Sequence, residues 1–165
     1  MKITIKKLKT MRSHDGGVAC DCDVCLNGKT FAAANDDGWG GGLFIRATGT
    51  DHDNYQTNKE ILTKVEAFVK KTHGINFDEF VDNLINDALN AKVSKKLEND
   101  YKKGICIGEN KNKFEIMHWK GYRNLQLLAD TPKGKEVIQK AINDIKKSGE
   151  KIINVDFLKS LGLKV

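Results

Sequence analysis

Arginine is scarce in this chain: Arg12, Arg46 and Arg123 are the only three. That scarcity excludes the dense arginine clusters that clamp phosphates bidentately or read guanine edges. Long hydrophobic runs are absent too, and no stretch approaches the ~20 apolar residues that a membrane-spanning helix needs. The first residues, MKITIKKLK, alternate lysine with β-branched residues, which is the pattern of a strand and not of a secretory leader. The chain is therefore expected in the cytoplasm, with no membrane partner. Missing as well are Gly-x-Ser-x-Gly, His-Glu-x-x-His, a dinucleotide fingerprint and a phosphate loop closing on Gly-Lys-Ser/Thr. No familiar signature of a hydrolase, zinc protease or nucleotide-binding enzyme is present.

What is there suits a globular protein. At 165 residues, 39% hydrophobic and 30% charged, the chain can bury one good core under a wet surface and is short for two. Net charge is +6, unevenly spread. Residues 1–56 carry seven basic and seven acidic side chains, residues 57–103 nine against eight, and residues 104–165 twelve against seven. The basic excess of the last third suits an acidic partner or nucleic acid. A merely lysine-rich surface gives the same count.

Residues 16–45 hold the strongest local pattern, GGVACDCDVCLNGKTFAAANDDGWGGGLFI. Asn27-Gly28 supplies the two left-handed residues of a type I′ hairpin turn, flanked by alternating apolar positions. Pairing outward sets Leu26 against Lys29, Val24 against Phe31, Cys22 against Ala33 and Cys20 against Asn35. Val18, Cys20, Cys22, Val24, Phe31 and Ala33 then share one face, and Asp21, Asp23 and Cys25 the other. Ahead of the hairpin, Ile3, Ile5 and Leu8 among lysines predict an edge strand over residues 1–9, followed by a polar linker over 10–15. Leu43-Phe44-Ile45 predicts a further short strand, and residues 48–56 a loop.

Helices follow. Thr57 with Glu60 makes a capping box, with Ile61, Leu62, Val65, Phe68 and Val69 on one face and a stop at His73-Gly74. Asn76 with Glu79 starts a second, long helix carrying Phe77, Phe80, Val81, Leu84, Ile85, Ala88 and Leu89. It thins through Val93, Leu97 and Tyr101, with a candidate break near Ser94. Residues 104–107 and 114–119 predict a second hairpin turning at 109–112. The single proline, Pro132, follows Thr131 at the first position of another helix, with Val137, Ile138, Ala141, Ile142 and Ile145 as its stripe and Gly149 as its end. Lys151-Ile152-Ile153 predicts a short strand, and Asn154 a cap on a last helix over 155–161. The predicted fold is a single α+β domain. It comprises an N-terminal antiparallel hairpin and sheet (residues 1–46) packed on helices (57–103), then a second short hairpin with terminal helices (104–165).

Four groups of residues are candidates for chemistry. Cys20, Cys22 and Cys25 form a Cys-x-Cys-x-x-Cys run, and Cys106 and His14 are further candidate zinc ligands. Thiolates must converge on one ion at ~2.3 Å, whereas the hairpin register aims Cys20 and Cys22 at one face and Cys25 at the other. The expectation is buried thiols packing as small hydrophobes, with no metal and no disulfide. Second, Asn35, Asp36, Asp37, Gly38, Trp39, Gly40, Gly41 and Gly42 combine hard-cation oxygens, permissive glycines and an aromatic anchor. The spacing is not that of a calcium loop, which leaves a structural turn folding Trp39 back over the sheet, or a partner-binding loop. Third, His14-Asp15, Asp36-Asp37 and Asp51-His52-Asp53 are candidate groups of a metal-dependent active site if the fold brings them together. Polar loops are rich in such residues without any site. Fourth, Lys92, Lys95, Lys96, Lys102 and Lys103, with Lys133, Lys135, Lys140, Lys146 and Lys147, predict a basic surface. Tyr101, Trp119 and Tyr122 nearby are candidates to stack on bases, and a solvated helix face is the plainer reading.

The layout resembles a family of small uncharacterised proteins encoded by phages, prophages and plasmids. The resemblance lies in the opening strand of residues 1–9, the turn Cys25-Leu26-Asn27-Gly28-Lys29, the loop Asn35-Asp36-Asp37-Gly38-Trp39-Gly40-Gly41, and the lysine-rich middle helix leading into a strand pair and terminal helices. The family's loop reads Asn-Asp-Gly-x-Gly-Gly, and here a second aspartate and an extra glycine are inserted. The resemblance implies a mobile-element origin, and small proteins of that origin are often host-takeover or counter-defence factors, including inhibitors of CRISPR nucleases. On it rests the expectation of a non-enzymatic, cofactor-free binding protein in the host cytoplasm that occupies a host defence protein or nucleoprotein complex. Its contacts would be the loop, with Trp39 as anchor, and the lysines of residues 92–103. Two other expectations stand beside it: a small nucleic-acid-binding protein, and a metal-dependent enzyme using Asp36, Asp37, His52 and Asp53.

Overall fold

The structure, a computed structural model, describes residues 1–12 and 17–165. The roles expected of His14 and Asp15 fall outside the described residues. Around the Asn27-Gly28 turn, with φ of 50° and 86°, four strands form an antiparallel sheet in chain order: β1 (Ile3–Arg12), β2 (Val18–Leu26), β3 (Lys29–Asp36) and β4 (Phe44–Ala47). β1 is an edge strand, as predicted, but it runs on through residues 10–12 that read as linker. Met11 and Arg12 pair with Ala19 and Val18, so ladder hydrogen bonds carry the strand on where the side chains show no buried alternation.

Two bulges correct the expected register. Leu26 opposes Lys29 and Cys25 opposes Thr30, but Val24 opposes Ala32, Cys22 opposes Ala34 and Cys20 opposes Asp36. Phe31 is the extra residue. It and Ala32 are both buried, so beyond the bulge Ala32 and Ala34 face the core and Ala33 joins Asp21 and Asp23 on the open face. Val18, expected in the core, is 50% exposed at the end of its strand. In β1, Lys7 and Leu8 together oppose the single residue Cys22. Lys7 takes a left-handed φ of 53° and its ammonium reaches Asp23 at 2.9 Å. That carboxylate, first as hydrogen-bond acceptor and then as a charge, holds the ammonium above its ordinary pKa. The bulge lets Ile3, Ile5 and Leu8 all pack on the core side.

Two helices cover that side, α1 (His52–His73) and α2 (Phe77–Lys103). α1 starts well before the expected Thr57 cap. Asp51 is the N-cap and accepts the Asn54 N–H at 2.8 Å, a bond that, with a second from the Thr50 hydroxyl, holds its carboxyl below the usual range. Thr57 sits inside the helix and donates to the Asp53 carbonyl. The first turn is polar on every side and carries no apolar period to betray it. The end at Gly74, with φ of 74°, is as predicted. Val65, Val69, Phe77, Val81 and Ile85 pack with Cys20, Cys22, Val24, Phe31, Ala32 and Ala34. α2 is the one long helix read from the sequence, and it runs unbroken through Ser94, the candidate break.

The contacts group the chain into two compact units, Met1–Asn90 and Ala91–Val165, dividing within α2. The C-terminal unit holds β5 (Ile105–Asn110), β6 (Lys113–Met117), α3 (Leu125–Ala129), α4 (Pro132–Ser148) and α5 (Val155–Ser160). β5 and β6 form the expected hairpin, and Ile152 bridges to Ile107 in place of a full third strand. α3, capped by Asn124, is too short to show a period. α4 begins at Pro132 behind the Thr131 cap and ends at Gly149. Its stripe of Ile138, Ile142 and Ile145 is buried with Ile105, Leu125 and Leu158, while Val137 is exposed. Asn154 makes no side-chain cap to α5. Its amide instead accepts the Cys106 N–H at 3.0 Å and donates to the carbonyls of Tyr101 at 3.1 Å and Gly104 at 2.8 Å.

Candidate functional site

The acidic glycine loop leaves the sheet at the end of β3. Asp36 Oδ1 accepts the Gly38 N–H at 2.7 Å and Asp37 Oδ1 accepts the Trp39 N–H at 2.9 Å, two successive side-chain turns. Gly38 has φ of +77°, and a Cβ there would come within 2.8 Å of the Ala19 nitrogen. Glycine is required for the loop to lie this close to β2. Asn35 donates to the Cys20 carbonyl at 3.4 Å. The backbone around Trp39 is thus fixed by named bonds, yet Trp39 itself is 70% exposed. It does not fold back over the sheet.

Phe44 is a residue that the sequence reading missed as surface. It pairs with Asn35, which pairs with Asp21, so it lies on the sheet face opposite the helices and is 64% exposed. Met11, paired with Ala19 on that same face, is exposed as well. The signal was parity: Ile45 faces the core, so its neighbour in an extended strand must face away.

The cysteines are all free and buried. The bulge lies in β3, so alternation along β2 is intact and Cys25 opposes the face of Cys20 and Cys22. Its Sγ lies 3.5 Å from the Thr30 hydroxyl. Burial pushes the Cys22 and Cys106 thiols up to about 11 and raises Cys20 too, which suppresses the thiolate that metals and electrophiles need. Among the described residues no three of His, Cys, Asp and Glu are placed to hold a metal ion, so Asp36, Asp37, His52 and Asp53 do not form such a group. Two aspartates fix the loop and Asp51 caps α1.

Lys92, Lys95, Lys96, Lys102 and Lys103 are all exposed on the C-terminal part of α2, where Leu97, Asp100 and Tyr101 are the half-buried positions. Lys103 is paired with Asp100 at 2.6 Å. The stacking candidates are less available. Trp119 packs against the core. The Tyr101 ring lies 6.3 Å from that of Phe114, and among the described residues its hydroxyl is buried without a hydrogen-bond partner. Only Tyr122 of the three is exposed. Open grooves of about 600 Å³ beside Leu43, Glu66 and Phe77 and of about 1130 Å³ beside Phe114, Glu115 and Glu150 lie elsewhere on the surface. Neither is lined by the loop or by the lysines of α2. Among the described residues no helix is long and apolar enough to cross a membrane.

No family model, curated protein or solved structure matches this chain.

Proposed function

We propose that the chain is a binding protein that acts by occupying a surface of another macromolecule, with Asn35, Asp36, Asp37, Gly38, Trp39 and Gly40 as its contact loop. One observation carries this reading: Trp39 is 70% exposed on a backbone pinned by two side-chain turns and by the close approach of Gly38 to β2. An exposed tryptophan held in place loses little conformational freedom on docking, which is what makes such residues interface hot spots. The resemblance to phage, prophage and plasmid proteins supplies the proposed partner, a host defence protein or nucleoprotein complex in the host cytoplasm. Inhibition of a CRISPR nuclease is its most specific form.

The experiment is co-purification of the tagged protein from a bacterial host, with and without nuclease, beside the Trp39→Ala variant. A discrete protein retained after nuclease and lost with Trp39→Ala is the expected outcome. Because the side chain is exposed, the variant should unfold within about 0.5 kcal/mol of the parent. A loss of several kcal/mol, of the size expected when a buried aromatic is removed, would make the loop structural and end the proposal. Material held only through nucleic acid would favour the second reading, a nucleic-acid-binding protein.

A further inference from the structure

The division of the chain sorts its charge more sharply than any division by sequence block. The N-terminal unit carries 11 basic and 13 acidic residues, and the C-terminal unit 17 and 9. Formal charges are −2 and +8, which sum to the +6 of the whole. A general lysine bias of the proteome would act on both units alike, so it does not account for the difference. The excess belongs to one compact unit.

Within that unit α4 places its charge in a row. Lys133, Lys140 and Lys147 recur every seven residues, and a helix drifts only ~20° over each such step. The three stems therefore stand in one line about 21 Å long, on the side away from buried Gly134, Ile138, Ile142 and Ile145. All three are exposed. Glu136 and Asp144 flank the row, but among the described residues its one ion pair is Lys147 with Asp144 at 3.9 Å, both well exposed. The lysines of α2 spread over a wider arc, and Lys103 is tied to Asp100. Trp119 and Tyr101 are packed inward, which leaves Tyr122 as the one exposed ring of the three stacking candidates; one ring is short of the successive platforms on which unpaired bases stack.

We propose that the outer face of α4 binds the phosphate backbone of duplex nucleic acid, without regard to sequence, through Lys133, Lys140 and Lys147. Duplex DNA carries one charge per ~1.7 Å of axis with both strands counted, so a length equal to the row holds about a dozen phosphates, and the three lysines need reach only those on the near side. Lysine, a flexible point charge, suits such contacts better than base reading.

The test uses the full chain and a fluorescent duplex two helical turns long, titrated between about 50 and about 200 mM salt. Affinity should fall steeply with salt. Combining Lys133→Gln, Lys140→Gln and Lys147→Gln should flatten the log–log slope by two to three, at ~0.9 per lost phosphate contact. Combining Lys92→Gln, Lys95→Gln and Lys96→Gln removes the same charge from α2 of the same unit and should flatten it by less than one. Trp39→Ala should leave the slope unchanged, so this inference and the loop reading fail separately. No duplex binding at low salt, equal losses from the two triple variants, or tighter binding to a single strand would each overturn the proposal. An unchanged thermal midpoint shows that the variants fold.

Discussion

Asn154 is 1% exposed, and its side chain meets three backbone groups at a junction of elements: the Cys106 N–H and the Tyr101 and Gly104 carbonyls. Those groups mark the end of α2 and the start of β5, so one amide fixes how the helix hands the chain to the hairpin. Asn154→Ala strands a buried donor and two acceptors, and should cost about 3 kcal/mol in urea unfolding. Asn154→Asp keeps the acceptor for Cys106 but sets a carboxylate against two carbonyls, and should cost more than the alanine. A cost below about 1 kcal/mol for the alanine variant, within the range of surface changes, would show that water replaces the amide there.

α2 changes character along its length. Phe77, Val81 and Ile85 are buried, whereas every residue from 91 to 96 is exposed, Val93 included. Helical hydrogen bonds with no packed side chains open more readily. Amides of residues 91–96 should therefore exchange with deuterium on the order of tenfold or more faster than those of 81–85, read by mass spectrometry after pepsin digestion. Equal protection would mean that this segment is packed. Element by element, what the sequence shows depends on whether a signal is local. Asn27-Gly28, the stop at Gly74, and the Thr131-Pro132 start are set by neighbours in the chain, and all three are visible there. The step from Ile5 to Leu8, three residues where a strand has two, is the mark of the Lys7 bulge in plain view. The Phe31 bulge has no such mark, because alanines follow it and fit either face. The turn roles of Asp36 and Asp37 follow from residue type, but the exposure of Trp39 depends on where β2 passes, which no local pattern encodes.

Each unit carries a buried thiol, Cys22 in the first and Cys106 in the second, whose pKa burial raises from 9.0 to about 11. The unfolded chain gives up these protons near the ordinary value while the folded units keep them. Stability from this source is therefore complete below pH ~9 and declines between pH ~9 and ~11. Denaturant titrations across that range should show the decline, and Cys22→Ala combined with Cys106→Ala should flatten it. At neutral pH Ellman's reagent should find almost no thiol until denaturant is added, and rapid reaction of the native protein would contradict the burial. At the borders of the N-terminal sheet, the left-handed Lys7 governs what company the molecule keeps. A foreign strand laid along β1 can match residues 3–6 or 9–12 but not both, because the extra residue throws the amides out of step. β4, the opposite border, is four residues long. Neither border offers a long, regular template for cross-β growth, and a partner that pairs with one gains at most about four residues of ladder before side chains must do the recognising.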